Sequence, residues 1–549
     1  MPSHRSSASA AILLAMVSGT LLAATQSPAQ AAPTGAGVLD PSFSPNAPAG
    51  ITDAASARQF VDVAAQQDGK VVAISDQGGD FFIARFNQDG SPDLSFANTG
   101  TGSVAVDVGA AGQADQALAL AIDSQNRIVV VGSGGAAVAD FALVRLAPDG
   151  KSVQLNTHVH VGNVADPSVP RDVAFQSDGT ILAAGTAKVG GDTDFALVRF
   201  HAASGAVIGA PVTASLGTGD EIGRGVAVYP SGPNVDKIVI VGNTGTAGDS
   251  AMGIIQRNAD GTLDGTFNSG QTIVDPTAGN DVANGVAITS SGSILVAGSN
   301  GAADMDLVLT QLLPSGPADV TFNAGAVRTI AKPGADAARN HPLAVQADGR
   351  IVVVGDSAAA LDAGVFRLNA DGTTDTSFGA AGDATFNVNG NDDANAVSLD
   401  ASGNILVAGD EASSAGFAAR LFGSPDTDGD GVRDPFDACP SAPGTLPNGC
   451  VAAPEAVLKG KKVVLDTVLA KKSASAKCPD TAKVTVKSKS KDGKIKVSKE
   501  LKTTTVSGGC RVKGKVNLHA QPKKTAQTKV TVTGKKLKTK HLVAVRVRV

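Results

Sequence analysis

Apolar and polar positions alternate along the chain in a repeating unit that occurs seven times. Each unit carries a short apolar strand, a polar turn, a Val-, Ile- or Leu-rich strand ending in Gly, and a third strand with an Asp-Phe-Ala-x-x-Arg-like run. The polar turns mark the register at nearly even intervals, at Gly69, Asn126, Gly179, Asp236, Gly292, Gly349 and Gly403. A strand-based period of roughly 50–60 residues is typical of a propeller or a related array.

The third copy shows the predicted elements most clearly. Residues 172–176 form a short strand, Gly179 closes a turn that tolerates positive φ, and residues 181–185 and 194–200 form two further strands. Other copies add a second turn and a fourth strand, as at residues 93–96. Four antiparallel strands in each copy make one propeller blade.

The seventh copy ends after residues 417–422, before the Asp-x-Ser-Phe element that follows in other copies. That element stands instead near the N-terminus, at residues 40–43. We therefore expect a seven-bladed β-propeller over residues 32–423, closed by the N-terminal strand, because such a clasp removes two exposed sheet edges. An open solenoid is the alternative, and it would leave the N-terminal segment unpaired.

Two patterns carry a family resemblance over residues 38–423: Asp-Gly-x-Ile-Val-Val-x-Gly, and Phe-x-x-x-Arg-x-x-x-Asp-Gly-x-x-Asp-x-Ser-Phe. Together they resemble the delta-60 repeat family of exported bacterial proteins. The resemblance implies a β-propeller and implies almost nothing about activity. The fourth and fifth copies depart from the pattern, since Gln256 and Thr310 stand where the arginine is expected.

Residues 1–31 read as a secretory signal peptide. Arg5 gives a positive start, residues 10–24 are mostly apolar, and residues 29–31 form a small-x-small cleavage site. A transmembrane anchor is the alternative, but the apolar run is short and is interrupted by Ser18, Gly19 and Thr20. We expect a secreted or cell-surface protein with no transmembrane segment after removal of the signal.

Residues 424–450 form a predicted linker that binds Ca²⁺. Within residues 426–437 the spacing of carboxylates and one glycine fits a calcium loop whose ligands are Asp426, Asp428, Asp430, Asp434, Asp437 and the carbonyl of Val432. A solvated acidic linker is the alternative. The run from Asp426 to Pro440 resembles a thrombospondin type-3 repeat, which implies a structural ion.

Four cysteines in an exported chain allow three disulfide pairings. Nearness in sequence favours Cys439 with Cys450 and Cys478 with Cys510, because short loops close at the lowest entropic cost. Four free thiols are the alternative, which an oxidising compartment disfavours.

Charge divides the chain sharply. Residues 32–450 hold 19 Lys+Arg and 46 Asp+Glu, a net of −27, whereas residues 451–549 hold 26 and 5, a net of +21.

The C-terminal part alternates apolar and polar positions, which predicts a small Ig-like β-sandwich over residues 451–549. Its charge indicates an anionic partner: an envelope polymer, or the acidic half of the same molecule. A purely solvated positive face is equally compatible, and nucleic acid is disfavoured because the domain has no aromatic residue for base stacking.

No catalytic motif stands out, and we predict no enzymatic activity. His158 and His160 share one face of a strand but lack an evident third metal ligand, and His341 lies beside Pro342 with no evident partner. Acidic residues recur ahead of the first strands, where they could gather cations or a basic ligand, at Asp115, Glu221, Asp281 and Asp392. The sequence favours a calcium-binding adhesion scaffold whose partner is an anionic envelope polymer or an extracellular protein. An extracellular propeller enzyme with a channel-lining active site is the alternative.

Overall fold

The computed structural model describes residues 35–44, 49–53, 58–76, 79–109, 114–135, 138–217, 219–246, 248–301, 305–331, 338–357, 362–388, 390–411, 415–424, 456–459, 462–469, 481–490, 493–506, 509–518, 529–533, 540–543 and 545–546. Two compact units contain them, one with the described residues up to 424 and one with those from 456 onward. None of the described residues belongs to a helix long and apolar enough to cross a membrane.

The first unit is a seven-bladed β-propeller, and each blade is a four-stranded antiparallel sheet. The first three blades consist of β2 (Asp62–Ala65), β3 (Val71–Ser75), β4 (Phe81–Phe86) and β5 (Ser103–Val106); β6 (Gln116–Ile122), β7 (Ile128–Gly135), β8 (Ala139–Leu146) and β9 (Val153–Val159); and β10 (Ser168–Phe175), β11 (Ile181–Val189), β12 (Asp192–Phe200) and β13 (Val212–Ala214). The next three consist of β14 (Ile222–Val228), β15 (Ile238–Thr246), β16 (Asp249–Arg257) and β17 (Gln271–Val274); β18 (Val282–Ile288), β19 (Ile294–Ser299), β20 (Leu307–Leu312) and β21 (Arg328–Ile330); and β22 (Leu343–Val345), β23 (Ile351–Ser357), β24 (Asp362–Leu368) and β25 (Asp383–Phe386).

The seventh blade contains β26 (Asp392–Leu399), β27 (Ile405–Glu411), β28 (Gly416–Leu421) and, at its outer edge, β1 (Ile51–Asp53). In β1, Ile51 lies opposite Ala419 of β28, and Leu39 forms a further bridge with Leu421. The first strands of successive blades contact one another in the order β2, β6, β10, β14, β18, β22, β26 and back to β2. Short 3₁₀ turns follow three third strands, at Phe96–Asn98, Asn268–Gly270 and Asn323–Gly325.

The hydrophobic core lies between neighbouring blades. The second and third strands are apolar on both faces because each face meets another sheet: every residue of β3, β4, β19 and β20 is buried. One core cluster joins the first two blades through residues such as Phe81, Ile83, Val130 and Val144. A single sheet cannot cover both of its faces, so the blades stabilise one another as repeats do.

A rim cluster explains the Asp-x-Ser-Phe element and the recurring arginine. In the sixth blade Arg367 Nε lies 2.8 Å from Asp375 Oδ2, and the guanidinium lies 4.5 Å above the Phe378 ring. Ser377 Oγ donates to the other oxygen of Asp375 at 2.6 Å. The same cluster recurs with Arg85, Asp93, Ser95 and Phe96, and with Arg420, Asp40, Ser42 and Phe43.

The fourth and fifth blades replace the arginine of the rim cluster with glutamine. Gln256 Nε2 donates to Asp264 at 2.7 Å, and Gln311 Nε2 donates to Asp319 at 2.9 Å. The expectation that Thr310 occupies the arginine position of the fifth copy was therefore wrong by one residue. Gln311 occupies that position, because its side chain is the one that contacts Asp319.

The second unit is an eight-stranded β-structure in the order β35-β34-β31-β32-β33-β30-β29-β36. Its strands are β29 (Ala456–Lys459), β30 (Lys462–Leu469), β31 (Thr481–Ser490), β32 (Gly493–Val506), β33 (Gly509–Asn517), β34 (Lys529–Thr533), β35 (Lys540–Val543) and β36 (Val545–Arg546). The predicted alternation is present in β31, where Ala482, Val484 and Val486 are buried while Lys483 and Lys487 are exposed. The Ig-like type of this unit stays a prediction.

Several predicted features lie outside the described residues. These are the signal peptide at 1–31, the calcium loop at 426–437, and Cys439, Cys450 and Cys478. Cys510 is described only through its backbone, which pairs with Leu469 and Thr505 in β33. The calcium and disulfide predictions therefore stay predictions.

Candidate functional site

A ring of seven side chains, one from each blade, surrounds the centre of the propeller. Five first strands contain a β-bulge, a device that re-aims one side chain out of the regular pleat. The extra residues of these bulges are Leu118, Arg171, Arg224, Asn284 and Asn395. Each stands five positions before the first residue of its turn, and the matching positions in the first and sixth blades are Val61 and His341.

A central cavity of about 400 Å³ opens inside this ring. All seven blades contribute to its lining, including every ring residue except His341. Most of the lining side chains are polar or charged, and no aromatic ring is among them. The cavity is therefore suited to hydrogen bonding and charge recognition, and not to stacking on a planar apolar ligand.

Two arginines form the cationic side of the cavity. Arg171 and Arg224 come from the successive third and fourth blades, and no carboxylate among the described residues forms an ion pair with either. Within the described part of the chain the buried Arg171 Nε has no hydrogen-bond partner, and Arg224 Nε donates to Asn243 Oδ1 at 3.2 Å. Burial lowers the pKa of both, and the neighbouring Arg171 helps to lower that of Arg224 to about 10. Both side chains are partly exposed to the cavity, and a partly desolvated cation without a counter-charge favours an anionic group on this side.

The opposite side of the cavity is acidic, although one arginine lies within it. Arg339 Nη2 lies 2.9 Å from Asp356 and 2.8 Å from Asp393. Burial raises the pKa of Asp356 to about 7, and the like charge of Asp393 adds to this effect despite Arg339. The sixth and seventh blades therefore present more carboxylates than cations.

Two more carboxylates extend this acidic side. Asp410 accepts hydrogen bonds from Asn395 Nδ2 at 2.5 Å and from Gln59 Nε2 at 3.0 Å. Asp76, from the first blade, has one buried carboxylate oxygen with no partner among the described residues. Burial raises the pKa of both Asp76 and Asp410. A cationic or hydrogen-bond-donating group would relieve the desolvation of these carboxylates.

His341 forms ion pairs with carboxylates of two other blades. Its Nδ1 lies 3.4 Å from Asp62 Oδ2 and its Nε2 lies 3.3 Å from Asp172 Oδ1. Only 15% of the histidine side chain is exposed. Burial opposes protonation, but the two carboxylates outweigh it and raise the pKa of His341 to about 9. The expectation that His341 lacks a partner was therefore wrong.

The two carboxylates beside His341 also join neighbouring blades. Asp62 Oδ2 accepts the N–H of Leu120 at 2.7 Å, and Asp172 Oδ2 accepts the N–H of Val226 at 2.7 Å. Burial raises the pKa of Asp62 to about 6, against the opposing charge of His341. We call His341, Asp62 and Asp172 the central triad, and it links strands of five blades.

The other histidines and acidic residues named in the sequence have separate places. His158 and His160 both contact Asp140, at 2.9 and 2.7 Å, which gives them a shared carboxylate partner. Four acidic residues lie at the beginning of first strands, are largely buried and do not line the central cavity: Asp115, Glu221, Asp281 and Asp392.

One position of the repeat marks the cavity residues in the sequence, although the sequence analysis did not single it out. If the seven copies are aligned on the residue that begins the turn, the position five places earlier reads Val61, Leu118, Arg171, Arg224, Asn284, His341 and Asn395. A column this variable inside an otherwise regular repeat marks a position that does not serve the shared core.

These observations define the class of protein: an all-β, seven-bladed propeller with a charged central cavity. The model of a family described as "Domain of unknown function (DUF5122) beta-propeller" matches residues 66–96, 125–151, 176–207, 236–267 and 346–378. The match recurs in five of the seven copies and confirms the resemblance to a delta-60-like repeat propeller. The description of the family assigns no activity.

Solved structures show a distant likeness. Virginiamycin B lyase from Staphylococcus aureus is 11% identical with a TM-score of 0.41, and the match covers 67% of this chain and 97% of that one. The periplasmic gluconolactonase of Pseudomonas aeruginosa is 13% identical with a TM-score of 0.38, covering 60% of this chain and 84% of that one. A protein of unknown function from Dyadobacter fermentans is 13% identical with a TM-score of 0.37, covering 66% and 95%. We draw no functional argument from likeness at this level.

None of the curated proteins matches the sequence.

Proposed function

We propose that the propeller is a binding scaffold whose central cavity takes a small zwitterionic ligand or the free end of a peptide. The anionic group of the ligand would lie against Arg171 and Arg224, and its cationic group would lie toward Asp76, Asp393 and Asp410. The observation that carries the proposal is the pair of neighbouring arginines that line the cavity and have no carboxylate partner in the described part of the chain.

Size and chemistry support this ligand class. The cavity of about 400 Å³ lies within the usual range for small-molecule sites, roughly 300–1,000 Å³. Arginine binds carboxylate and phosphate groups through a planar fork of donors. Opposed cationic and anionic walls favour a ligand that carries both charges and reject ligands that carry only one.

Isothermal titration of the full chain with triglycine, and with triglycine blocked at both ends, tests the proposal. We expect the free peptide to bind and the blocked peptide to bind at least tenfold more weakly. Arg171→Met and Arg224→Met should each weaken binding of the free peptide. Arg127→Met is the matched control, because Arg127 forms an ion pair with Asp123, 2.5 Å away, and does not line the cavity. Equal binding of free and blocked peptides would contradict the proposal.

A channel-lining enzyme is the second candidate, and one observation favours it. Asp356 lies behind the cavity-lining Arg339, and burial raises its pKa to about 7, which is near the value that suits a general acid or base at neutral pH. If the cavity is catalytic, bound triglycine should be cleaved, and Asp356→Asn should abolish cleavage while leaving binding in place. Binding without turnover favours the scaffold.

The C-terminal unit would bind an anionic polymer of the cell envelope. The register places Lys487 of β31 directly opposite Lys496 of β32 and also opposite Lys529 of β34. Like charges at directly opposed positions are unfavourable in an isolated sheet. An anionic chain lying across these three strands would relieve that repulsion, which supports a polymer over a small ion.

Export, calcium binding and ring closure complete the proposal. A secreted or surface protein would use Asp426, Asp428, Asp430, Val432, Asp434 and Asp437 to hold a Ca²⁺ that stiffens the linker. The pairing of β1 with β28 and the contact of Asp40 with Arg420 support closure of the ring by the N-terminal strand. Fractionation of cells expressing the full chain, or a chain ending at Cys450, tests the anchoring role: only the full chain should remain bound to the envelope.

A further inference from the structure

We propose a second cation site, for a divalent ion of the calcium class, at the junction between the first and second blades. Its ligands are the carboxylates of Asp80, Asp107 and Asp115. This site is separate from the predicted linker loop and from the central cavity.

The three carboxylates are close enough to share one ion. Asp80 precedes β4, Asp107 follows β5 and Asp115 precedes β6, so the three sequence positions converge where one blade passes to the next. One oxygen from each lies within 4.8 Å of the other two. Oxygens on opposite sides of a bound Ca²⁺ are about 4.6–5.2 Å apart, so the ion fits without large movement of the side chains. An all-oxygen carboxylate set suits hard cations and not the softer transition metals.

Asp115 supplies an independent indication of a ligand. The residue is 1% exposed, and no group among the described residues forms a hydrogen bond with its Oδ1. Its Oδ2 accepts the N–H of Val108 at 2.7 Å, which accounts for the structural role of the side chain. A bound cation would satisfy the remaining oxygen and neutralise the cluster.

The repeats provide an internal comparison for this site. At the junction of the second and third blades the equivalent positions are Asp140, His160 and Ser168, and His160 already pairs with Asp140 at 2.7 Å. At the junction of the sixth and seventh blades the equivalents are Asp362, Asn387 and Asp392, and Asn387 Nδ2 donates to Asp362 at 2.5 Å. Protein groups supply hydrogen-bond donors at those junctions. The first junction has a carboxylate at all three positions.

The backbone leaves room for the buried carboxylate of this site. A Cβ atom at Gly134 would lie 2.6 Å from Asp115 Oδ1, so no larger residue fits there unless the carboxylate moves. The backbone of Asp115 is also fixed, because its N–H donates to the carbonyl of Gly79 at 2.7 Å. The carboxylate is therefore fixed in place before any ion binds, which reduces the ordering cost of binding.

Calcium titration of the full chain can test the site if the linker loop is first silenced by Asp428→Asn and Asp430→Asn. We expect this background variant to bind one equivalent of Ca²⁺, with a Kd on the order of 10⁻⁴–10⁻³ M, and to melt at a higher temperature when Ca²⁺ is added. Adding Asp107→Asn should weaken the remaining binding roughly tenfold or more, because ligand charge sets the affinity of such sites. Asp107 is exposed, so this substitution leaves the core intact.

Asp392→Asn in the same background is the matched control. Asp392 accepts the N–H of Val388 at 2.7 Å, as Asp115 accepts that of Val108. It therefore has the same structural role as Asp115, but it is not one of the three clustered carboxylates. We expect it to bind Ca²⁺ as the background does. The proposal is overturned if the background binds no Ca²⁺, or if Asp107→Asn and Asp392→Asn have the same effect on binding.

Discussion

Arginines serve two regions of this propeller in different ways. In the rim cluster of the sixth blade, Arg367 is fully buried and meets Asp375, the Phe378 ring and the carbonyl of Gly423. In the central cavity, Arg171 and Arg224 have no carboxylate partner among the described residues. Arg367 is fully buried, whereas Arg171 and Arg224 are partly exposed to the cavity, so the two sets differ both in their partners and in their exposure. A paired arginine stabilises the fold, whereas an unpaired one is available to a ligand.

Removal of a rim arginine should have the largest effect on stability. Arg367→Met leaves Asp375 with only Arg350, 3.2 Å away, as a counter-charge and removes the donor to the carbonyl of Gly423, and we expect a loss of about 3–5 kcal/mol in the free energy of unfolding. Gln256→Met in the fourth blade removes two neutral-donor hydrogen bonds, one to Asp264, which keeps Lys237 at 2.6 Å, and one from the hydroxyl of Tyr229, and should cost about 1–3 kcal/mol. Urea unfolding of both variants measures the difference. Equal losses would show that the rim cluster does not depend on the buried ion pair.

The central triad predicts a dependence of stability on pH. The pKa of His341 is about 9 in the folded chain and 6.5 as its ordinary value, so protonation stabilises the fold. This stabilisation is complete below pH 6.5 and is lost as pH rises through 9, by about 3 kcal/mol in total. Unfolding curves at pH 6.5 and 9.5 should show the loss in the native chain, and His341→Asn should remove most of it. A variant with the same pH dependence as the native chain would contradict this role.

Removal of a cavity arginine should change stability in the opposite direction to removal of a rim arginine, and by a smaller amount. Burial and Arg171 lower the pKa of Arg224 to about 10, so the side chain stays charged at neutral pH but its charge is less favourable in the folded chain than in the unfolded one. We expect Arg224→Met to raise the free energy of unfolding by about 1 kcal/mol in the absence of ligand, because an uncompensated charge is removed. Thermal melting without added ligand measures it. A loss comparable to that of Arg367→Met would place Arg224 among the structural arginines.

The smallest effect is expected on the surface of the C-terminal unit. Lys487→Gln removes the middle charge of the three opposed lysines, and its fold should be unaffected. Binding to poly-L-glutamate should weaken, and the slope of log K against log salt concentration should fall by about one, as for the loss of one ionic contact. Lys483→Gln is the control, since Lys483 lies opposite Glu500. Identical slopes for both variants would contradict the proposal that the opposed lysines bind the anionic polymer.

The sequence predicted the blades well because their determinants are local and repeated. Turn glycines, apolar second strands and the Asp-x-Ser-Phe element recur at a nearly fixed spacing, and each copy reports the same sheet. The central triad could not be predicted in this way, because His341 belongs to the sixth blade and Asp62 to the first, so their contact depends on closure of the ring. The sequence contains Arg171 and Arg224 but cannot indicate whether a carboxylate lies beside them, because that depends on how the blades pack in three dimensions.

The central triad also constrains the order in which the chain can complete its fold. Asp62 and Asp172 are made early, whereas His341 is synthesised only after the fourth and fifth blades. At roughly 5–20 residues per second, the ribosome needs on the order of 10 s or more to supply the cation that these two carboxylates share. During that interval the emerging blades have two carboxylates without their counter-charge. The propeller therefore reaches its final charge balance only after its sixth blade has begun to leave the ribosome.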